Sequence, residues 1–228
     1  MILAILVFVG TLGLSLFASW RVKSNVARYS RVGTARGLTG AQVAANILTR
    51  AGIRDVEIVP QDGFLGDHYD PAHKRLVLSQ ENYHGSSIAA AGIAAHEAGH
   101  AIQHARAYAP LHARMAAIGV TSFASSIVTW LPLIGLFTGF LALPQFLWVI
   151  ALGWGVIMMF NLITLPVEFD ATRRAKLQLA ETGMVTPQEA VGVNKVLHAA
   201  AWTYVAAFLT SLAYMLYYLL PLLQGEHE

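Results

Sequence analysis

Met115–Val167 reads MAAIGVTSFASSIVTWLPLIGLFTGFLALPQFLWVIALGWGVIMMFNLITLPV, and no Asp, Glu, Lys or Arg interrupts it. A bilayer core about 30 Å thick takes ~20 apolar residues per helix, so this stretch holds two spans and a short turn. Pro132, Gly135, Gly139 and Pro144 crowd its middle as turn residues. The pattern predicts a helical hairpin within 115–165, with spans at 115–134 and 146–165. Working outward, residues 1–20 carry no charge, and Arg21 and Lys23 follow at once. A cleaved secretory signal places its positive charge before the apolar run; here the order is reversed, which predicts a retained first span. From His198 to Gln224 full charges are again absent, giving a fourth span within 199–224, near 200–223. Composition agrees: 56% of residues are hydrophobic and 12% charged, roughly half the charged share of a soluble domain.

The charges that remain set an orientation. All 15 Lys and Arg residues fall in 21–114 and 166–198, while the C-terminal tail carries Glu226 and Glu228. With four spans the two basic segments share one side, and the positive-inside rule places them in the cytoplasm. The expectation is a multi-pass protein of the cell membrane with its chemistry on the cytoplasmic side. A net charge of +2 gives no argument for nucleic acid, and none is expected as a partner. With no cysteine in the chain, any metal must be held by His, Asp or Glu.

The segment 21–114 reads as a small folded α+β domain. Thr39 is placed to cap a helix from Gly40 to Arg50 that ends at Gly52, with Val43, Ile47 and Leu48 on its apolar face. Val56, Ile58 and Val59 suggest a strand, as do Leu76, Val77 and Leu78; Gly63, Gly66, Asp67 and Asp70-Pro71 read as turns. An Ala-rich run from Ser86 to about Ala107 reads as one helix.

That helix carries His96-Glu97-Ala98-Gly99-His100. At 3.6 residues per turn, positions 96 and 100 share a face, so two imidazoles can reach one ion. Glu97 is rotated by about 100° from His96, which suits a general base acting on a water that zinc has acidified towards pKa ~7. Ala94, Ala95, Ala98 and Gly99 are small and let neighbouring elements approach. A catalytic zinc takes three protein ligands and keeps one position open. His104 continues the series, but it lies ~12 Å along the axis from His96, too far for bonds of ~2 Å to a shared ion. Glu168, directly after Leu165-Pro166-Val167 at the cytoplasmic end of the third span, is the better third ligand. An interfacial charge cluster with Asp170, Arg173 and Arg174 is the plain alternative, outweighed by a two-His site on the same side that lacks a carboxylate.

Gly37-Leu38-Thr39-Gly40-Ala41, Gly66-Asp67-His68-Tyr69-Asp70-Pro71, Leu76-Val77-Leu78-Ser79, the His96–His100 motif and Leu165-Pro166-Val167-Glu168-Phe169-Asp170-Ala171 together resemble the neutral zinc metallopeptidases of the YugP-like membrane family. With the pattern of spans, the resemblance covers nearly the whole chain. It implies zinc on His96, His100 and Glu168, with Glu97 as catalytic base. More distantly the chain is similar to the HtpX-like and Oma1-like membrane proteases, in which the ligand Glu is followed four residues later by Asp. Here position 172 is Thr, so Asp170 becomes the candidate for orienting a His ligand. By analogy with the same broad class, Leu76-Val77-Leu78 would be the edge strand that receives a substrate backbone. Tyr83, His84, Arg173 and Arg174 are candidate donors to an oxyanion.

The expected fold is mainly α and integral to the membrane, with about four transmembrane helices and a small α+β zincin-like catalytic domain built on the His-Glu-x-x-His helix. The expected function is a gluzincin-like zinc metalloendopeptidase acting on peptides or membrane proteins. A catalytically dead scaffold with structural zinc would not need Glu97. A metal transporter would carry ionisable ligands inside its spans, and these spans lack Asp, Glu, Lys and Arg.

Overall fold

The computed structural model describes residues 2–63, 66–139 and 144–224. Glu226, Glu228 and residues 140–143 of the expected interhelical turn lie outside the described residues. The order of elements is α1 (Ile2–Tyr29), α2 (Gly40–Arg50), β1 (Glu57–Gln61), β2 (His68–Asp70), β3 (Arg75–Ser79), α3 (Gln80–His84), α4 (Ile88–Ala105), α5 (Ala109–Thr138), α6 (Pro144–Glu181) and α7 (Pro187–Gln224). The protein is mainly helical with one small sheet. Helices α1, α5, α6 and α7 are long and apolar enough to cross a membrane.

These helices outrun the expected spans. Both α6 and α7 have 38 residues, about 57 Å of helix against a core of about 30 Å. Pro132 and Gly135, expected in a turn, lie inside α5, and the chain leaves that helix at Gly139 with φ +79°. Pro166 lies inside α6, so Glu168 belongs to the same continuous helix as the third expected span. An interior proline costs ~3 kcal/mol. Beyond it, however, Val167, Ala171, Ala175 and Leu179 are buried to 1% exposure or less, and a buried Val or Leu contributes ~1.5–3 kcal/mol. Packing therefore carries the helix through its proline.

The chain forms two compact units. One comprises residues 1–17, 113–165 and 203–228, and the other residues 18–112 and 166–202. The first is a bundle of parts of α1, α5, α6 and α7. Its helices are joined by Asn161, whose amide donates to the Ala207 carbonyl at 3.2 Å and to Ser211 Oγ at 3.0 Å, and by Trp154 stacked on Tyr214 at 4.6 Å.

The second unit holds the hydrophobic core, drawn from α2, β3, α4 and the polar-end portions of α1, α6 and α7. Thr39 caps α2 with a reciprocal box: Thr39 Oγ1 accepts from Gln42 N at 3.2 Å, and Gln42 Oε1 accepts from Thr39 N at 3.0 Å. The sheet has the order β1-β3-β2, with β1 parallel and β2 antiparallel to β3. Asp70 accepts from the backbone N–H groups of Ala72 and His73 to turn the chain between β2 and β3. Leu76, Val77 and Leu78 thus lie on the central strand, not on an edge. All three are buried, and an unbroken buried run, in place of alternation, marks a strand covered on both faces. The free edges belong to β1 and to β2.

Candidate metal centre

Ser87 caps α4 by accepting from Ala90 N at 3.1 Å. The helix then runs through the core, with most of its residues buried. Gly99 brings it against α6: a Cβ there would meet the Ala171 carbonyl oxygen at 2.7 Å, closer than a side chain tolerates. Every larger residue at 99 would therefore push the two helices apart. On α6, Glu168, Ala171, Thr172, Ala175 and Leu179 are buried together at the three- and four-residue spacing of one helix face.

This close pairing brings His96, His100 and Glu168 together. They form a group whose ligand atoms all lie within 4.8 Å of one another, the one such group of three among the described residues. Glu168 Oε2 stands 3.2 Å from His96 Nε2 and 3.6 Å from His100 Nε2. Ligands at ~2 Å from a tetrahedral zinc stand ~3.3 Å apart, so the spacing fits one ion. The two imidazole rings are 4.8 Å apart and nearly perpendicular. Each far nitrogen has a partner: His100 Nδ1 meets Gln103 Oε1 at 3.0 Å, and His96 Nδ1 meets Thr172 Oγ1 at 3.3 Å. With the proton on Nδ1, both Nε2 lone pairs are free for a metal. The donor set and its support fit zinc.

Electrostatics point the same way. Burial pulls the Glu168 carboxyl up, but His100 and His96 outweigh it and hold the group well below the usual carboxylate range. Burial pushes the His100 imidazole down, and Glu168, Glu97 and Gln103 more than reverse it. An ionised carboxylate among imidazoles is the charge pattern that receives a divalent cation. Glu97 is itself buried, at 8% exposure, on the helix between the two histidines.

The other candidate residues are distributed unevenly. Asp170 does not touch a histidine; it accepts from Gln103 Nε2 at 2.9 Å, and Gln103 also donates to the Val167 carbonyl at 2.8 Å. Arg173 and Arg174 both bind Asp170. Tyr83 packs edge-on against His84 on α3 at 4.8 Å. His104 Nδ1 meets Tyr69 OH at 2.9 Å. Burial pushes the Tyr69 hydroxyl up to about 12 and pulls His104 down, so the hydroxyl donates and the imidazole accepts, away from the three-residue group.

Gln103 and Thr172 meet the two histidines and were not singled out as candidates by sequence reasoning. Gln103 is fully buried and sits three residues after His100, a helical neighbour that the spacing could have flagged. Thr172 lies four residues after Glu168 on α6, and its hydroxyl meets His96 Nδ1.

The comparisons with known proteins agree with this geometry. The family described as "Putative neutral zinc metallopeptidase" matches residues 4–223. "Putative membrane protease YugP" of Bacillus subtilis (strain 168) is 43% identical over 231 residues, covering 99% of this chain and 99% of that protein. No solved structure matches. A match of this extent, over a chain that gathers two histidines and a glutamate at one point, places the protein in that family of neutral zinc metallopeptidases.

Proposed function

We propose that the chain is a zinc-dependent membrane endopeptidase, gluzincin-like in its His-His-Glu ligand set and zincin-like in mounting two of those ligands on one helix beside a small sheet. The convergence of His96 Nε2, His100 Nε2 and Glu168 Oε2 from residues up to 72 apart in sequence carries the reading. Zinc held there supplies Lewis acidity, which acidifies water and polarises a peptide carbonyl. Glu97 then takes the proton from the attacking water and returns it to the departing amine. Gln103 and Thr172 hold the two imidazoles in the tautomer that leaves Nε2 unprotonated. Of the side chains considered for the oxyanion, Arg173 and Arg174 are engaged by Asp170, which leaves Tyr83 and His84. The strand open on one side and packed against α4 is β2, tied to it by Tyr69 and His104. An extended peptide would add there.

Substrates on this reading are loose, extended or membrane-proximal segments of peptides and membrane proteins. The four long helices lie in the bilayer, and the basic segments face the cytoplasm. Reporter fusions at Tyr83 and at Gln145 should report opposite sides; the same side for both would remove the four-span arrangement.

Zinc content decides the ligand set. Purified Glu168→Ala should lose bound zinc and peptide cleavage together, while His104→Ala keeps both to within a modest factor. Zinc retained in the first and lost in the second would overturn the assignment.

A further inference from the structure

Among the described residues, the exposed large aromatic side chains of the second unit are Trp20 on α1, Phe169 on α6 and Trp202 on α7, at 64%, 50% and 49% exposure. Exposure to water gains these rings nothing, whereas indoles are enriched where a bilayer meets water. All three lie within four residues of the end of an expected span. Moving away from the span, the next exposed charge on each helix is a base: Arg21 directly after Trp20, Arg173 four residues after Phe169, and His198 four residues before Trp202. Aromatic first and cation second is the order in which a helix leaves hydrocarbon and enters the headgroups. Four residues of helix rise ~6 Å, about the depth of one headgroup layer.

The cations also gather. Lys176 Nζ and His198 Nε2 stand 3.0 Å apart, and burial, Lys176 and Arg21 together push the His198 imidazole down. Among the described residues no carboxylate pairs with Arg21, Lys176 or His198. Three bases from three helices, with no acid between them, make a place for an anion. Its position beside the ends of three spans makes that anion a lipid headgroup.

We infer that this belt seats the second unit on the bilayer surface, with the phosphate of an anionic phospholipid against Arg21, Lys176 and His198. Glu168 is one residue from Phe169, ~1.5 Å of rise, and is buried where Phe169 is exposed. The group of His96, His100 and Glu168 therefore lies at the depth of the headgroups and not out in the cytoplasm. The inference rests on the membrane placement proposed above and not on catalysis. For a peptidase, the bonds brought to that depth are those beside a substrate's own span.

The chain has no cysteine, so single-cysteine variants of the full-length protein each take one nitroxide. Trp20→Cys, Phe169→Cys and Trp202→Cys are placed in nanodiscs of phosphatidylcholine and phosphatidylglycerol beside two controls, Met159→Cys and Val191→Cys, at positions 48% and 53% exposed. Depth is read from collisions with oxygen against a water-soluble nickel chelate, calibrated with spin-labelled lipids. Labels at 20, 169 and 202 should lie within ~7 Å of the lipid phosphates, with 159 deeper than 169 by ~15 Å of helix and 191 in water. Water at 159 would remove the membrane placement and the inference with it. Hydrocarbon at 159 with water at 169 or 202 would overturn the inference alone, and three positions keep the result readable where one variant fails to fold. In a second arm, fluorescent phosphatidylglycerol should bind the protein in neutral detergent more tightly than phosphatidylcholine does. Its affinity should fall about fivefold in each of Arg21→Gln and Lys176→Gln, with zinc content unchanged. Equal affinity for the two lipids, or indifference to both variants, would overturn the headgroup assignment.

Discussion

In the bundle unit Phe123, Phe137 and Leu152 are 68%, 86% and 65% exposed, whereas in the other unit Glu97, His100, Gln103, Glu168 and Asp170 are each exposed by 9% or less. Helix α6 contributes to both patterns within one continuous element: Leu152 and Leu162 face outward before Pro166, and Glu168 and Thr172 are buried after it. On the membrane reading proposed above, the two halves obey the same physics in different solvents. Lipid covers large apolar side chains at no cost, so the bundle needs little internal core and joins its helices through Asn161, Ser211 and an aromatic stack. On the same reading water is the solvent of the second unit. The apolar groups are internal there, and the buried His100, Gln103, Glu168 and Asp170 each have a hydrogen-bond or ion-pair partner.

The comparison can be broken at several points. The largest effect after loss of a ligand is expected at Glu97. Glu97→Gln should lower the rate of peptide cleavage by ~10²–10⁴-fold while zinc stays near one per chain. Cleavage at the wild-type rate would remove Glu97 from the chemistry.

Next in size is a charge on the lipid-facing side. Leu152→Arg should cost ~2.5–3.5 kcal/mol of membrane insertion, read as lost membrane-integrated protein. Val191→Arg, at a residue 53% exposed on the stretch of α7 before the expected span, should stay within ~0.5 kcal/mol. Equal damage at both would mean that lipid reaches Val191 and that the boundary between the two solvents is misplaced.

The smallest expected change lies behind the ligands. Gln103→Leu keeps the bulk but removes the acceptor of His100 Nδ1, and zinc affinity measured by competition with a chelator should fall ~10–100-fold. Thr172→Val, acting through the longer 3.3 Å contact to His96, should fall at the low end of that range. Unchanged affinity in both would show that packing alone orients the imidazoles.

Much of this was legible in the chain before any fold was known. Absence of charge marked the four apolar helices, because a charged group in hydrocarbon is costly at any position and leaves its signature locally. The cap at Thr39 and the paired histidines at 96 and 100 were legible for a similar reason, since both depend on spacing within one helix. The outcome was different wherever the partner came from another element. Leu76-Val77-Leu78 was expected at an edge, and only the pairing of β2 on its far side shows that it is central. The third span was expected to end at 165, yet α6 continues through Pro166 to Glu181, and the burial that holds it together there comes from the core.

The sequence by itself determined the apolar spans, the chemistry of the donor set and the pair of histidines, because each is fixed by residue identity and by the 3.6-residue turn. The tertiary structure alone decided that Gly99 lets α4 approach Ala171 closely enough for Glu168 to reach both imidazoles. It also decided that Gln103 and Thr172, and not Asp170, meet the far ring nitrogens. Those contacts depend on the separation and rotation of two helices, which are set by packing across the core and not by either helix alone.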